Sequence, residues 1–481
     1  MTMSVGIEDL AVYVPRIYFP IKDLAELRQI EYAKLHRGLG LEKMSLCDVD
    51  ENVATMGAEA ILDLLARQDI DPAEISRIYL GTESALDSSK PTSTYMVEMI
   101  EMVYGKGAFR HCDVVDLTFA CIGAVDALEN CLDYIRANPN EKAIVVAADE
   151  ALYEQNSTGE YTQGAGAVAL LVKSQPRLMS FATKFAASMS SALDFYKPLR
   201  RLSTDLIEDK SQAQNDLDTS LDKASINVHT STPVFDGQYS NTCYQQRIEE
   251  AFRHFCKIKD CNAGVLHTWE RLIFHLPYAS HARRVCQPVF IDALIAEGRL
   301  EIFCKEQGLN MELLSEDAIG FYKQMSKTPA YQSFVRSKLS DSALASSQVG
   351  NLYTASIFMA LASALHHSME EDLEGKAIGF FAYGSGSKSK VFEGRLEAGW
   401  RQAVADIRLN EKLDDRQSIN TDTYLALRKG KVDAPIAPER RRFVTKENNA
   451  DDYMRHAHLF ATVECNAEQK SDLVGQENGR Y

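Results

Sequence analysis

Six consecutive apolar residues, Ala143-Ile144-Val145-Val146-Ala147-Ala148, stand between the charged Lys142 and Asp149. A run this short and this apolar reads as a strand buried on both faces. Such a strand needs helices on both sides of its sheet, so the segment points to a layered α/β fold. Its neighbours agree. Ile7 to Val14 alternates apolar and polar residues and stops at Pro15, a strand. Asn52 to Arg67 places Val53, Met56, Ala60, Leu64 and Leu65 at helical spacing. Ile75 to Leu80 and Val114 to Phe119 read as further strands. The second is followed by a helix with Ile122, Val125, Leu128, Leu132 and Ile135 on one face.

The second half repeats this theme. Gly350 to Leu365 mirrors the helix after Cys121, and Ile378 to Ser387 mirrors the Gly-rich turn and strand of Tyr161 to Val172. The pattern predicts a duplicated domain with halves at 1–175 and 176–430. A polar stretch at about 199–232 reads as a surface insertion, partly helical. From Lys431 the chain is strongly charged and reads as an extension, with a disordered tail from Asn466 to Tyr481. Ser342 to Met369 is the longest uncharged run. Ser346, Ser347, Gln348, Asn351, His366 and His367 make it too polar for a bilayer, so it reads as one buried helix with a polar start.

The chain has 52 Lys and Arg against 68 Asp and Glu, a net charge of −16. That balance argues against a nucleic-acid or anionic-membrane binder. The ten cysteines include no C-x-x-C pair, and the start carries no signal-peptide pattern, so reduced thiols in a cytoplasm are expected. His254, Cys256, Cys261 and His267 cluster without zinc spacing, and no metal is expected. Gly164-x-Gly166 lacks the third glycine and the following helix of a dinucleotide-binding turn.

Four residues suggest chemistry. Cys121 sits between an apolar strand and an amphipathic helix, where the helix dipole would lower its pKa, although a packed structural thiol fits the position equally. Glu83 follows a buried strand, a place for acid–base work if burial raises its pKa, and also a place for a solvated loop carboxylate. His275 interrupts the apolar run Ile273 to Tyr278 and needs a partner or a task. Asn351 could cap the helix running to Leu365 or serve a substrate oxygen.

An ordered set of segments resembles the 3-hydroxy-3-methylglutaryl-CoA synthases of the thiolase-like condensing-enzyme superfamily. It comprises Gly38-Leu39-Gly40, Gly81-Thr82-Glu83, Ala120-Cys121, Tyr161 to Leu171, Asp194 to Pro198, Asp236-Gly237 with Ser240, Phe274-His275-x-Pro277-Tyr278, Gly350 to Thr354, and Tyr383-Gly384-Ser385-Gly386. The resemblance runs from about Val5 to about Arg395. It implies a duplicated, layered α-β-α-β-α fold and the condensation of acetyl-CoA with acetoacetyl-CoA and water. Cys121 would carry the acetyl group, Glu83 would move its protons, and His275 would polarise the acetoacetyl carbonyl. Asn351, Thr162, Ser240 and Ser385 match substrate-contact positions, and Asp149, Tyr153 and Phe195 match pocket or supporting ones. The backbone N–H groups of Cys121 and of the Gly384-Ser385 turn would hold the enolate oxygen. CoA thioesters are the implied ligands, a homodimer the implied assembly, and no metal or prosthetic group is implied.

The family's lysine two residues after the tyrosine of Phe-His-x-Pro-Tyr is Ser280 here. CoA phosphates would then fall to Arg283, Arg284, Lys43 or Arg37. A relative acting on acyl-carrier-protein thioesters would want a basic pocket mouth, and the acidic total favours the CoA reading. The Cys, His, Asn order also occurs in papain-like proteases, which lack the Glu83 segment and the paired Gly-rich turns. A non-catalytic binder would dispense with Glu83, Cys121 or His275.

Overall fold

The computed structural model of the chain describes residues 3–182, 184–217, 221–438, 442–450 and 454–463. Ten strands form one continuous sheet. In chain order they are β1 (Val5–Tyr13), β2 (Ile75–Gly81), β3 (Asp113–Leu117), β4 (Lys142–Ala151), β5 (Gly164–Ser174), β6 (Met179–Phe181), β7 (Ala186–Met189), β8 (Arg271–Phe274), β9 (Ala377–Gly384) and β10 (Lys388–Leu396). The order across the sheet is β8-β9-β10-β6-β1-β5-β4-β2-β3, with β7 added alongside β10.

The two halves repeat one topology. In the first, β2 runs parallel to β4, β4 antiparallel to β5, and β5 antiparallel to β1. In the second, β8 runs parallel to β9, β9 antiparallel to β10, and β10 antiparallel to β6. The halves join where β1 pairs with β6. The first half has the extra edge strand β3, paired to β2.

β4 shows why the apolar run was informative. Ile144, Val146 and Ala148 pack into one apolar cluster with α1 (Val53–Gln68) and α2 (Thr92–Tyr104). Ala143, Val145 and Ala147 pack into another with α3 (Gly123–Ala137). That second cluster also holds α4 (Gly237–Lys259) and α6 (Ser356–His367) from the other half. Asn52 starts α1 with a capping box closed by Thr55.

Two expectations, the single buried helix and the Asn351 cap, are corrected. Ser342 to Met369 is two helices, α5 (Ser340–Val349) and α6, separated by a turn. Gly350 breaks the run: its φ is +80°, and a Cβ there would lie 1.8 Å from the Gln163 carbonyl oxygen. Asn351 does not cap α6, because Ala355 holds that position; its Oδ1 instead accepts from the Tyr353 N–H. The extension after Lys431 also joins the core. Phe443–Lys446 and Leu459–Thr462 form a hairpin that buries Phe443 and Phe460 against α1 and α2. The Glu59 carboxylate on α1 accepts from the Arg442 and Phe443 N–H groups. The expected tail from Asn466 to Tyr481 lies outside the described residues.

In the insertion, Arg200–Ser203 pairs with Ser225–Val228 as a ribbon, with a helix at Lys210–Leu217 between them. No described helix is long and apolar enough to cross a membrane. Phe443→Ala should cost about 3 kcal/mol. Calorimetry would show a lower melting temperature with turnover retained below it, because Phe443 lies outside the pocket lining. An unchanged melting temperature would mean that the hairpin is not part of the core.

Candidate active site

The carboxyl ends of the parallel strands in both halves converge on one pocket, the usual place for a site in a wound α/β sheet. β2 leads directly into Thr82-Glu83, and β8, its counterpart, into His275. β9 leads into Ser385. Cys121 lies on the turn between β3 and α3, after Ala120 with φ +41°. The matching turn before α6 carries Tyr353 with φ +42°. The duplication therefore sets Glu83 opposite His275, and the Cys121 turn opposite the Asn351–Tyr353 turn.

The pocket encloses about 540 Å³, within the range of small-molecule sites. Of the residues singled out from the sequence, Cys121, Tyr153, Thr162, Phe195, Ser240, His275, Arg284, Asn351 and Ser385 line it. The Cys121 thiol donates to Glu83 Oε1 across 2.8 Å, which joins Glu83 to the same centre. Gly384 makes the convergence possible: a Cβ there would lie 2.6 Å from the Phe119 carbonyl oxygen and 2.9 Å from the Ile122 nitrogen, on either side of Cys121.

Asp149 does not line the pocket. It is fully buried and supports it. Its Oδ1 accepts from the Glu83 N–H at 2.7 Å, from Thr82 Oγ1 at 3.0 Å and from Ser84 Oγ at 2.9 Å. Its Oδ2 accepts from the Thr354 N–H at 3.0 Å and from Thr354 Oγ1 at 2.5 Å. Asn351 donates its N–H to the Thr162 carbonyl, and its Oδ1 accepts from Tyr353 N–H and Ser356 Oγ. Thr162 spends its hydroxyl proton on the Gly159 carbonyl, leaving an acceptor oxygen for the pocket. Tyr153 and Phe195 pack with Phe235 and Tyr353 as an aromatic wall.

Burial decides the charge states. Glu83 is raised from 4.5 to about 7, chiefly by desolvation; Lys197 opposes the rise and Asp149 adds to it. Cys121 is pushed well above 9 by burial and by the Glu83 carboxylate. This overturns the expected dipole-activated thiolate: a helix terminus is worth about 0.3–1 kcal/mol, less than burial beside an anion. The resting pair is thus a thiol beside a carboxyl that titrates near neutrality. His275 is lowered to about 3 by burial, so its imidazole is neutral and offers a hydrogen bond rather than a proton. Its backbone N–H donates to the Phe381 carbonyl and its backbone carbonyl accepts from the Tyr244 hydroxyl at 2.7 Å, while ring Nδ1 has no partner among the described residues.

Sequence reasoning missed several participants. Asp194, fully buried, accepts from the Tyr383 hydroxyl at 2.6 Å, the Gly386 N–H at 2.8 Å and Ser240 Oγ at 3.4 Å. Lys197 Nζ donates to the Glu83 carbonyl at 3.0 Å and lies 4.6 Å over the Tyr353 ring. Both fall in the Asp194 to Pro198 segment, which was the available signal. At the rim, Arg284 is the one Lys or Arg among the described lining residues. It reaches Tyr278 OH and the Gly38 carbonyl, each at 3.5 Å. Ser280 Oγ donates to that same carbonyl, so where the family lysine is missing the serine ties two loops together. Lys43 lies over the Tyr18 ring, and neither it, Arg37 nor Arg283 lines the pocket.

The description "Hydroxymethylglutaryl-coenzyme A synthase N terminal" matches residues 1–176, and "Hydroxymethylglutaryl-coenzyme A synthase C terminal" matches residues 222–434. The chain belongs to this family. A hydroxymethylglutaryl-CoA synthase of Haloferax volcanii is 30% identical over 88% of this chain and 90% of its own length. One from Enterococcus faecalis is 26% identical over 90% of this chain and 94% of its own. A solved structure of MvaS in complex with 3-hydroxy-3-methylglutaryl coenzyme A covers 96% of this chain and 100% of its own, at 27% identity and a TM-score of 0.78. The curacin-pathway HMG synthase, at 20% identity and a TM-score of 0.72, shares the fold. The fold is the thiolase-like α/β fold, and the protein is a condensing, acyl-transferring enzyme.

Glu83→Gln tests the charge assignment through stability. The folded pKa of Glu83 lies above the unfolded one, so its ionised form costs stability as pH rises from 4.5 toward 7, and the cost is complete above 7. At about 1.4 kcal/mol per unit that cost is roughly 3 kcal/mol. The variant should therefore melt above wild type at pH 8, with the gap closing toward pH 4.5. A gap independent of pH would contradict the raised pKa.

Proposed function

We propose that this enzyme condenses acetyl-CoA with acetoacetyl-CoA and water to 3-hydroxy-3-methylglutaryl-CoA and free CoA, through an acetyl group carried on Cys121. The observation that carries the reading is the Cys121 thiol donating to a Glu83 carboxyl raised to about 7, facing a neutral His275 across one pocket.

Glu83 takes the Sγ proton as the sulfur attacks the acetyl thioester carbon, and returns it to the departing CoA sulfur. Glu83, again a carboxylate, removes a proton from the acetyl methyl group. The enolate carbon attacks the ketone carbon of acetoacetyl-CoA while His275 hydrogen-bonds the ketone oxygen, and Glu83 gives its proton to the new alkoxide. Water then cleaves the thioester and frees Cys121. Four proton transfers pass through one group, which a pKa near neutrality suits. Covalent capture fixes the nucleophile, worth on the order of 7–11 kcal/mol at best. The N–H groups of Cys121 and of the Gly384-Ser385 turn would donate to the enolate oxygen, a reading supported by the contact of Gly384 with the Cys121 turn. Thr162, Ser240, Ser385, Asn351, Tyr153 and Phe195 shape the acyl end, Asp149 positions Glu83, and Arg284 meets the CoA phosphates at the rim.

The net charge of −16 favours CoA over an acidic acyl-carrier protein as the acceptor's bearer. The product fits the mevalonate route to isoprenoids. The nine described cysteines are free, which suits a reducing cytoplasm. A homodimer is supported by β3, an edge strand with Val114, Val115 and Leu117 half-buried and no neighbour on its outer side among the described residues. Sedimentation should give twice the 53.7 kDa chain mass, and a single-chain mass would remove the dimer.

The decisive assay follows CoA release and the six-carbon product from acetyl-CoA and acetoacetyl-CoA. Turnover should rise with pH through about 7 as Glu83 ionises. Product from acetoacetyl-carrier protein but not from acetoacetyl-CoA would overturn the acceptor. A flat pH profile would overturn the role of Glu83.

A further inference from the structure

His281 lines the pocket and is 1% exposed, yet neither Nδ1 nor Nε2 has a hydrogen-bond partner among the described residues. Its ring is held between Tyr244 and Tyr278, each with its centroid 4.7 Å away. Burial lowers its pKa well below 6.5, so the ring is neutral and carries one donor and one acceptor. Two orphaned polar atoms in an aromatic wall cost stability that a leucine would not. The two tyrosine rings pack the imidazole but leave both nitrogens without a partner, which points to a ligand.

Its place along the pocket says which part of a ligand. His275, six residues earlier, lines the end of the pocket that holds Cys121 and would face the reacting carbons. Arg284, at the rim, donates its backbone N–H to the His281 carbonyl at 2.9 Å. Tyr244, on one side of the His281 ring, also stacks on His275, and Tyr278, on the other, lies under the Arg284 guanidinium, so the ring stands between His275 and Arg284. In a phosphopantetheine thioester that interval holds secondary amides, each with one N–H and one carbonyl. A neutral imidazole complements either group.

We propose that His281 binds an amide of the phosphopantetheine arm, holding the thioester at the correct depth. The proposal rests on the reading above that the pocket takes phosphopantetheine thioesters. It does not depend on whether CoA or a carrier protein bears the arm.

The test is calorimetric titration of wild type, His281→Leu and His281→Gln with three ligands: CoA, pantetheine 4′-phosphate and adenosine 3′,5′-bisphosphate. The leucine variant should bind CoA and pantetheine 4′-phosphate about tenfold more weakly and the nucleotide unchanged. The glutamine variant, with a donor and an acceptor, should recover most of the loss. The leucine variant should melt at or above wild type, since it removes two unpaired buried atoms. Equal binding of pantetheine 4′-phosphate by all three proteins would overturn the proposal. So would an equal loss for the nucleotide with a lower melting temperature, which would mark His281 as structural. If wild type binds pantetheine 4′-phosphate but not CoA, and the leucine variant loses that binding, His281 stands and the CoA reading fails.

Discussion

The Asp149 carboxylate is the joint on which the site depends. It is fully buried and accepts from the Glu83 N–H, the hydroxyls of Thr82 and Ser84, and both the N–H and hydroxyl of Thr354. A buried carboxylate must be saturated with donors or it destabilises the fold. Here the donors come from the loop after β2 in one half and the turn before α6 in the other. Satisfying one buried group thereby fixes the backbone of Glu83 relative to the Asn351–Tyr353 turn. Asp194 does the same at the opposite wall, where it holds Tyr383, Gly386 and Ser240.

That geometry gives the chemistry its character. The duplication supplies two equivalent strand ends, and the chain places a carboxyl at one and an imidazole at the other. Burial then acts on each in opposite senses: the carboxyl rises toward neutrality and the imidazole falls until it is uncharged. In the proposed reaction the first serves as the proton carrier and the second as a fixed donor. Burial holds the Cys121 thiol protonated despite its helix, and in the proposed reaction Glu83, once ionised, is the group that takes its proton.

Much of this was legible in the chain. The apolar Ala143 to Ala148 run announced a strand covered on both faces, and β4 sends alternate side chains into two clusters. The two Gly-rich segments announced a duplication that the strand pairings reproduce. Cys121, Glu83 and His275 each stood next to an apolar strand, a local signal that survives without coordinates. What was hidden depends on long-range packing. Asp149 could be read as either a pocket or a supporting residue, because sequence does not show which way a strand end faces. His281 gave no signal, since its meaning lies in the absence of partners inside a wall built from distant segments. Gly350 divided a helix because its backbone meets Gln163, far away in sequence. The hairpin at Phe443 was obscured by the charges around it.

The account stands on Cys121 as the acyl carrier and Glu83 as its proton acceptor. The most direct test is peptide mass spectrometry of enzyme mixed with acetyl-CoA and quenched before acetoacetyl-CoA is added. The account predicts one acetyl group per chain on the Cys121 peptide, formed faster as pH rises through about 7 and discharged into product by acetoacetyl-CoA. No acetyl group on Cys121, or one elsewhere in the chain, would contradict it.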